Sequence, residues 1–253
     1  SYEVPENDHH AYQAAKAFGR FQSDLNDLPG PSLVETIPDF HNTRKRLEDF
    51  LSSVKKDSCE RVAEVEDLIA FAKAKGFLAE KITPSQFPSR VVHNDTKLNN
   101  VLLHKNTGEG MCVVDLDTVM PGCVLHDFGD LVRTAACSSL EDETNLDQVH
   151  FLPAVFEAIV EGYLESAGEM LVQKEIEFLP MAPLVITYEL GLRFLTDYLQ
   201  GDRYFKVKKT GHNLDRTRAQ FKLLSSMEES LPLMESIIER VVSARNIAQP
   251  GSI

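Results

Sequence analysis

The residues best placed to do chemistry lie between Val91 and Asp117. His93-Asn94-Asp95-Thr96-Lys97-Leu98-Asn99-Asn100 leads into the apolar run Val101-Leu102-Leu103, and Val113-Val114 leads into Asp115-Leu116-Asp117. Two apolar strand ends thus deliver carboxylates and amides to a common edge, where oxygen ligands can hold metal ions and phosphates. The His-x-Asp-x4-Asn spacing is that of a phosphoryl-transfer catalytic loop: the Asp takes the proton of an attacking hydroxyl, and the Asn five residues on faces Mg²⁺. An acidic residue on the following strand should be the main metal ligand, and Asp115 stands fifteen residues beyond Asn100.

The elements that must position these residues are mostly helical. Ala11, Ala15, Phe18, Phe21 and Leu25 recur at helical spacing and predict a first helix from Asn7 to about Asp27, stopped by Pro29-Gly30-Pro31. A second begins near Phe40, and a third runs from about Glu60 to Lys75 and ends at Gly76. After Pro84 and Pro88 the texture changes to short β-branched runs, Arg90-Val91-Val92, Asn100–Leu103 and Met111–Val114, with a turn at Asn106-Thr107-Gly108. These predict a sheet of two to four strands. Helical periodicity then returns over 127–138, 145–168, 172–200 (broken at Pro180 or Pro183), 212–229 and 231–246. The expected organisation is one unit, 1–253: leading helices over 1–89, catalytic loop and metal-binding strands over 90–117, a helical subdomain over 127–247 and a frayed tail over 248–253. The fold class is α+β, mainly helical.

Composition narrows the partners. The 253 residues are 43% hydrophobic, enough to fill a core, which excludes a wholly disordered chain. A net charge of -13 argues against a nucleic-acid or anionic-membrane surface, which needs Lys and Arg in excess on one face. No apolar run approaches a membrane span, and the start, SYEVPENDHH, is polar rather than a signal peptide. The four cysteines show no CxxC spacing, so reduced thiols and a cytoplasmic location are expected. His9, His10, His104, His126, His150 and His212 share no zinc-ligand spacing, and His41, after Phe40 at a loop-to-helix junction, reads as part of a helix start, with a reach into the cleft as the alternative.

The chain resembles the aminoglycoside phosphotransferase and choline kinase superfamily, which has the protein-kinase fold, and within it the N-acetylhexosamine 1-kinases. The resemblance rests on His93–Asn100, Asp115–Gly122, Asp127-Phe128-Gly129-Asp130, Tyr188–Leu199, Ala17–Phe21 and Ile37–His41, which together span nearly the whole chain. It implies Asp95 as general base or hydroxyl-orienting group, Lys97 on the transferring phosphate, and Asn100 and Asp115 on Mg²⁺, with Asp117 a second carboxylate. His93 would brace the loop, and Asp127 or Asp130 would hold it through backbone amides. Arg193 and Tyr204 would grip an amino sugar, and ATP with Mg²⁺ would be the phosphoryl donor. Asp127-Phe128-Gly129 spells the protein-kinase metal motif, but it lies 27 residues after Asn100, where Asp115 already occupies the strand end. The short interval from Asp115 to Asp127 leaves no room for an activation loop, so a protein acceptor is disfavoured.

Three alternatives bear on this reading. Glu189, Arg193 and Asp197 fall at i, i+4 and i+8, either a surface salt-bridge stripe or a polar face turned into a cleft. Asp115-Leu116-Asp117-Thr118-Val119 also fits the D-x-D-x-[TV] signature of haloacid-dehalogenase-like phosphatases, which requires alternating βα units after the motif. Finally, the first 80 residues read as helices, with no G-x-G-x-x-G, no GxxxxGK[ST] and no strand lysine. The chain therefore reads as a C-terminal lobe whose N-terminal nucleotide lobe is absent, inactive by itself or serving as a non-catalytic sugar-binding module.

Overall fold

The computed structural model describes residues 4–30, 32–245 and 247. In chain order the elements are α1 (Asp8–Asp24), α2 (Thr43–Lys56), α3 (Glu66–Ala74), β1 (Arg90–Val92), β2 (Val101–Leu103), β3 (Gly110–Val113), β4 (Met120–Gly122), α4 (Val124–Ala135), α5 (Pro153–Ala167), α6 (Gln173–Phe178), α7 (Ala182–Leu199) and α8 (His212–Ala244). The fold is mainly helical α+β, as the periodicity predicts, with the strands in the middle of the chain.

Helix α7 is the axis of the core. Nearly every one of its residues is buried, and it packs against α2, α4 and α8. Its hydrophobicity is almost circumferential, which is the signature of a helix enclosed by others. Helix α1 lies along α5, and the backbones come close because Gly162 presents no side chain to the Tyr12 carbonyl. Capping fixes the starts of the leading helices: Asn7 Oδ1 accepts from the His10 amide at 3.0 Å, and Asn42 Oδ1 from the Lys45 amide at 3.1 Å.

The strands form two separate antiparallel ladders. β1 pairs with β4 in the register Val91↔Pro121, and β2 pairs with β3 with an irregularity at Leu102/Leu103. β4 went unforeseen because Met-Pro-Gly reads as a loop; at a two-stranded edge Pro121 needs no donor on its outer side. Among the described residues every strand pairing is antiparallel, so the parallel sheet of the dehalogenase alternative does not form.

Several helix boundaries differ from the periodicity. α4 starts three residues earlier, at Val124, and α5 starts only at Pro153, whose fixed φ suits a first helical position. Residues 145–152 instead make a 3-10 turn, Leu146–Gln148, and an isolated bridge between Cys137 and Phe151. The break between α6 and α7 falls at Pro180, and Pro183 sits in the first turn of α7. The two helices expected over 212–229 and 231–246 are one, with Pro232 inside it. Leu223, Leu224 and Met227 before the proline and Met234, Ile237 and Ile238 after it are all buried, which outweighs the ~3 kcal/mol cost of an interior proline. α1 ends at Asp24, before the expected stop at Pro29-Gly30-Pro31; Pro31 itself and the tail over 248–253 lie outside the described residues.

Candidate active site

The catalytic-loop residues are fixed from several sides. Asp127, in the first turn of α4, accepts the His93 amide on Oδ2 at 2.8 Å and the Asn94 amide on Oδ1 at 2.7 Å. Gln22 Nε2 from α1 donates to the same Oδ2 at 2.7 Å, and Thr96 Oγ1 donates to the Asp127 carbonyl at 2.5 Å. Of the two acidic candidates, Asp127 alone meets the loop's backbone amides. Asp130, one turn on, is paired with Arg133 at 2.9 Å. Burial lifts the Asp127 carboxyl above its ordinary value, against the pull of the His93 and Asn94 amides. Burial also opposes the charge of Asp130, but Arg133 and Lys97 hold it low.

His93 is wholly buried, edge-on to Phe18 and Phe21 of α1. Its Nε2 lies 3.0 Å from the Val114 carbonyl, and its Nδ1 receives the Asp95 amide at 3.3 Å, so the hydrogen sits on Nε2. Thr118 Oγ1 donates to the His93 carbonyl at 2.7 Å, and Asn94 Nδ2 donates to the Thr118 carbonyl at 2.9 Å. The loop and the strand end carrying Asp115 are therefore one hydrogen-bonded unit, closed by the Val114 amide on the Asn100 carbonyl at 2.9 Å.

Asp95 emerges from this frame with both carboxylate oxygens engaged. Lys97 Nζ is 2.7 Å from Oδ1, and Asn100 Nδ2 donates to Oδ2 at 3.1 Å and to the Asp95 carbonyl at 2.8 Å. Burial would lower the Lys97 ammonium, but Asp130 and Asp95 outweigh it and raise it above its ordinary value. Asp115 follows at φ 62°, in the left-handed region that Asp tolerates, and it and Asp117 are solvent-exposed. With the Asn100 amide nitrogen turned to Asp95, its side-chain oxygen accepts no hydrogen bond among the described residues. Among the described residues no group of three or more His, Cys, Asp and Glu is arranged to hold a metal alone. One amide oxygen with one or two carboxylates does fit Mg²⁺, which takes its remaining ligands from phosphates and water.

Glu189, Arg193 and Asp197 are no surface stripe. Glu189 and Asp197 are buried and pair with other elements instead of with Arg193. Asp197 Oδ1 accepts the amides of Arg203 and Tyr204, both at 2.8 Å, and Oδ2 accepts those of Phe205 and the Asn213 side chain, both at 2.9 Å. It shapes the loop that carries Tyr204. The Arg193 guanidinium lies 5.5 Å from the Phe40 ring centre, 5.8 Å from Tyr204 and 5.4 Å from Phe205, and Nη2 is 3.4 Å from the Tyr204 hydroxyl. Arg193 and Tyr204 thus share the lining of a cavity of about 330 Å³.

Gln22 is the contributor that the sequence does not single out: it reaches Asp127 across 105 residues of chain and belongs to no spaced motif. Thr118 and His41 lie in segments that carry the family resemblance, but their contacts with the loop, across 24 to 53 residues, are set by tertiary packing. The His-Asn-Thr string at 41–43 was a signal of sorts, yet a capping Asn explains it without further function.

With this geometry, comparison with known proteins decides the family. The family model described as phosphotransferase enzyme family (APH) matches residues 1–169. The chain belongs to this phosphotransferase family. Among solved structures, an ethanolamine kinase from Plasmodium vivax matches 93% of this chain and 64% of its own length, at 14% identity and a TM-score of 0.52. A choline kinase from Cryptosporidium parvum matches over 96% of this chain and 68% of its own, at 13% identity and a TM-score of 0.42. The first likeness establishes the kinase-like fold of this family member. The chain spans about two-thirds, 64%, of the length of that ethanolamine kinase. Among the described residues no helix is long and apolar enough to cross a membrane.

Proposed function

We propose that this family member supplies the catalytic and acceptor half of a two-lobed kinase. It would pass the γ-phosphoryl group of Mg²⁺-ATP to the hydroxyl of a small neutral molecule, an N-acetylhexosamine at its anomeric position. The observation that carries the reading is Asp95, its carboxylate held between Lys97 and Asn100 on a loop anchored by Asp127. Bound Mg²⁺ would neutralise charge on the phosphates, held by the Asn100 oxygen, Asp115 and Asp117. Asp95 orients the attacking hydroxyl and receives its proton late, because little proton transfer accompanies a loose phosphoryl transition state. Lys97 moves its ammonium from Asp95 to the arriving phosphoryl oxygens. His93 and Asp127 keep the loop from relaxing.

Arg193 favours a neutral acceptor. Its guanidinium already faces Phe40, Tyr204 and Phe205, so a cationic amino alcohol seeking those rings would meet a like charge. A sugar offers hydroxyls and an amide carbonyl to the same guanidinium and to the Tyr204 hydroxyl. The test is ATP-dependent phosphorylation of N-acetylglucosamine and N-acetylgalactosamine by the chain alone and joined to a nucleotide-binding lobe. Turnover is expected only with the lobe, with a loss of about 10²–10⁴-fold on Asp95→Asn. Absence of turnover on any amino sugar by the joined enzyme refutes the substrate, and a beryllofluoride adduct on Asp115 refutes the reaction class.

A further inference from the structure

The peptide group joining Asn94 to Asp95 sets the direction in which Asp95 leaves the loop, and it is gripped at both ends by imidazoles. Its N–H, on Asp95, points at Nδ1 of His93. Its carbonyl, on Asn94, faces Nε2 of His41 at 3.3 Å. Asn94 has φ 66°, a conformation that costs free energy unless its surroundings hold it.

His41 comes from the segment before α2 and is held from the other side. Its Nδ1 is 2.8 Å from Oε1 of Glu189, whose side chain on α7 is wholly buried, and Thr43 Oγ1 donates to Oε2 of the same carboxylate at 2.7 Å. Both ring nitrogens therefore face acceptors, a carboxylate and a carbonyl. Only the imidazolium, with a hydrogen on each nitrogen, satisfies both; a neutral ring set toward Glu189 would turn a lone pair on the Asn94 carbonyl.

We propose that His41, held by Glu189, is a positioning residue for Asp95: as an imidazolium it fixes the Asn94–Asp95 peptide, and losing its proton releases that peptide. The role of the peptide in catalysis rests on the phosphotransfer reading, whereas the clamp does not.

The surroundings favour the charged ring. Burial works against it, but Glu189 of α7 and Asp130 of α4 outweigh both burial and the opposing Arg193 of α7, and His41 is raised above its ordinary 6.5. A further titratable neighbour is His126 of α4, with ring centres 5.2 Å apart, and Glu35, Asp39 and Cys123 line the same cavity as His41. Burial, and then the charge on His41, push His126 down to about 3, so it stays neutral where His41 titrates. Its Nε2 is buried without a hydrogen-bond partner, which fits a ring that yields the proton to its neighbour.

The test is a nuclear magnetic resonance titration of the chain itself, following the ring nitrogens of His41 and the backbone amide of Asp95. In the unaltered protein the two should move together, with one midpoint above 6.5. Glu189→Gln, which keeps shape and removes charge, should lower that midpoint by about one unit or more, a tenfold weaker hold on the proton, and carry the Asp95 amide with it. An Asp95 amide indifferent to the His41 titration overturns the proposal, as does a His41 midpoint below 6.5; both are read without a variant. If the joined titration holds while Asp95→Asn in the lobe-joined enzyme keeps its turnover, the phosphotransfer reading fails and the clamp stands.

Discussion

Replacing Asp127 by Asn tests whether the catalytic loop is held by a carboxylate on α4. In the native protein Oδ2 accepts from His93 and Gln22 and Oδ1 from Asn94, three donors on one buried group. An Asn that keeps its oxygen toward His93 and Gln22 turns its NH₂ on the Asn94 amide, leaving two donors face to face. An orphaned buried donor costs about 1–3 kcal/mol, and the two surviving bonds each lose about 1 kcal/mol with the charge. Relief from burying that charge returns part of this, giving a net loss of about 3 kcal/mol. A domain of this size moves about 2–4 °C per kcal/mol, so the melting temperature should fall by about 6–12 °C. Urea denaturation gives the free energy, and hydrogen exchange gives its location: the Asn94 amide should lose protection before the α7 amides do. A loss below about 1 kcal/mol with the Asn94 amide still protected refutes the reasoning, because the loop would then be held by something else.

Other expectations follow from the same contacts. The Glu189–His41 pair makes stability depend on pH at both ends. Glu189, burial notwithstanding, is held down to about 2 by the charge and hydrogen bond of His41, so its contribution is complete above 4.5 and fades as pH falls toward 2. His41 is raised, so its contribution is complete below 6.5 and fades as pH climbs through its higher native value. Denaturation midpoints should therefore plateau between about pH 4.5 and 6.5, and Glu189→Gln should flatten both shoulders. Gly162→Ala places a methyl against the Tyr12 carbonyl of α1 and should cost about 3 kcal/mol, the upper range for overpacking, because the obstacle is backbone. Gly76→Ala, whose nearest neighbour is Leu47 Cδ2 at 3.5 Å, is the matched control and should change little in a urea melt. Arg193→Lys keeps the charge and loses the planar fork; in the lobe-joined enzyme the acceptor KM should rise about tenfold or more with kcat nearly unchanged.

Much of the helical frame was legible because helix formation is a local matter: apolar spacing marks the buried face, and the first helix opens where the periodicity begins, at Asn7. Where the frame departed from the periodicity, long-range burial overrode a local rule. Pro232 should end a helix, but the apolar residues on both sides of it are buried against the rest of the core. Met120-Pro121-Gly122 has no strand character of its own and becomes one by lying beside Arg90–Val92.

For the candidate site, the sequence by itself picked out the candidate reactive residues and their brace. His93, Asp95, Asn100 and Asp115 are bound to one another by short chain separations, and a spacing of a few residues on a loop and a strand end constrains where side chains can go. Tertiary structure alone decided who holds that set in place. Asp127 rather than Asp130 meets the loop because one turn of α4 separates the two carboxylates, and only one of them faces the amides. Gln22, Thr118, His41 and Glu189 reach the loop or its supports across 24 to 148 residues of chain. No spacing encodes such contacts, because the distance between them is set by how α1, α2, α4 and α7 pack, and buried polar groups take whichever partners that packing provides.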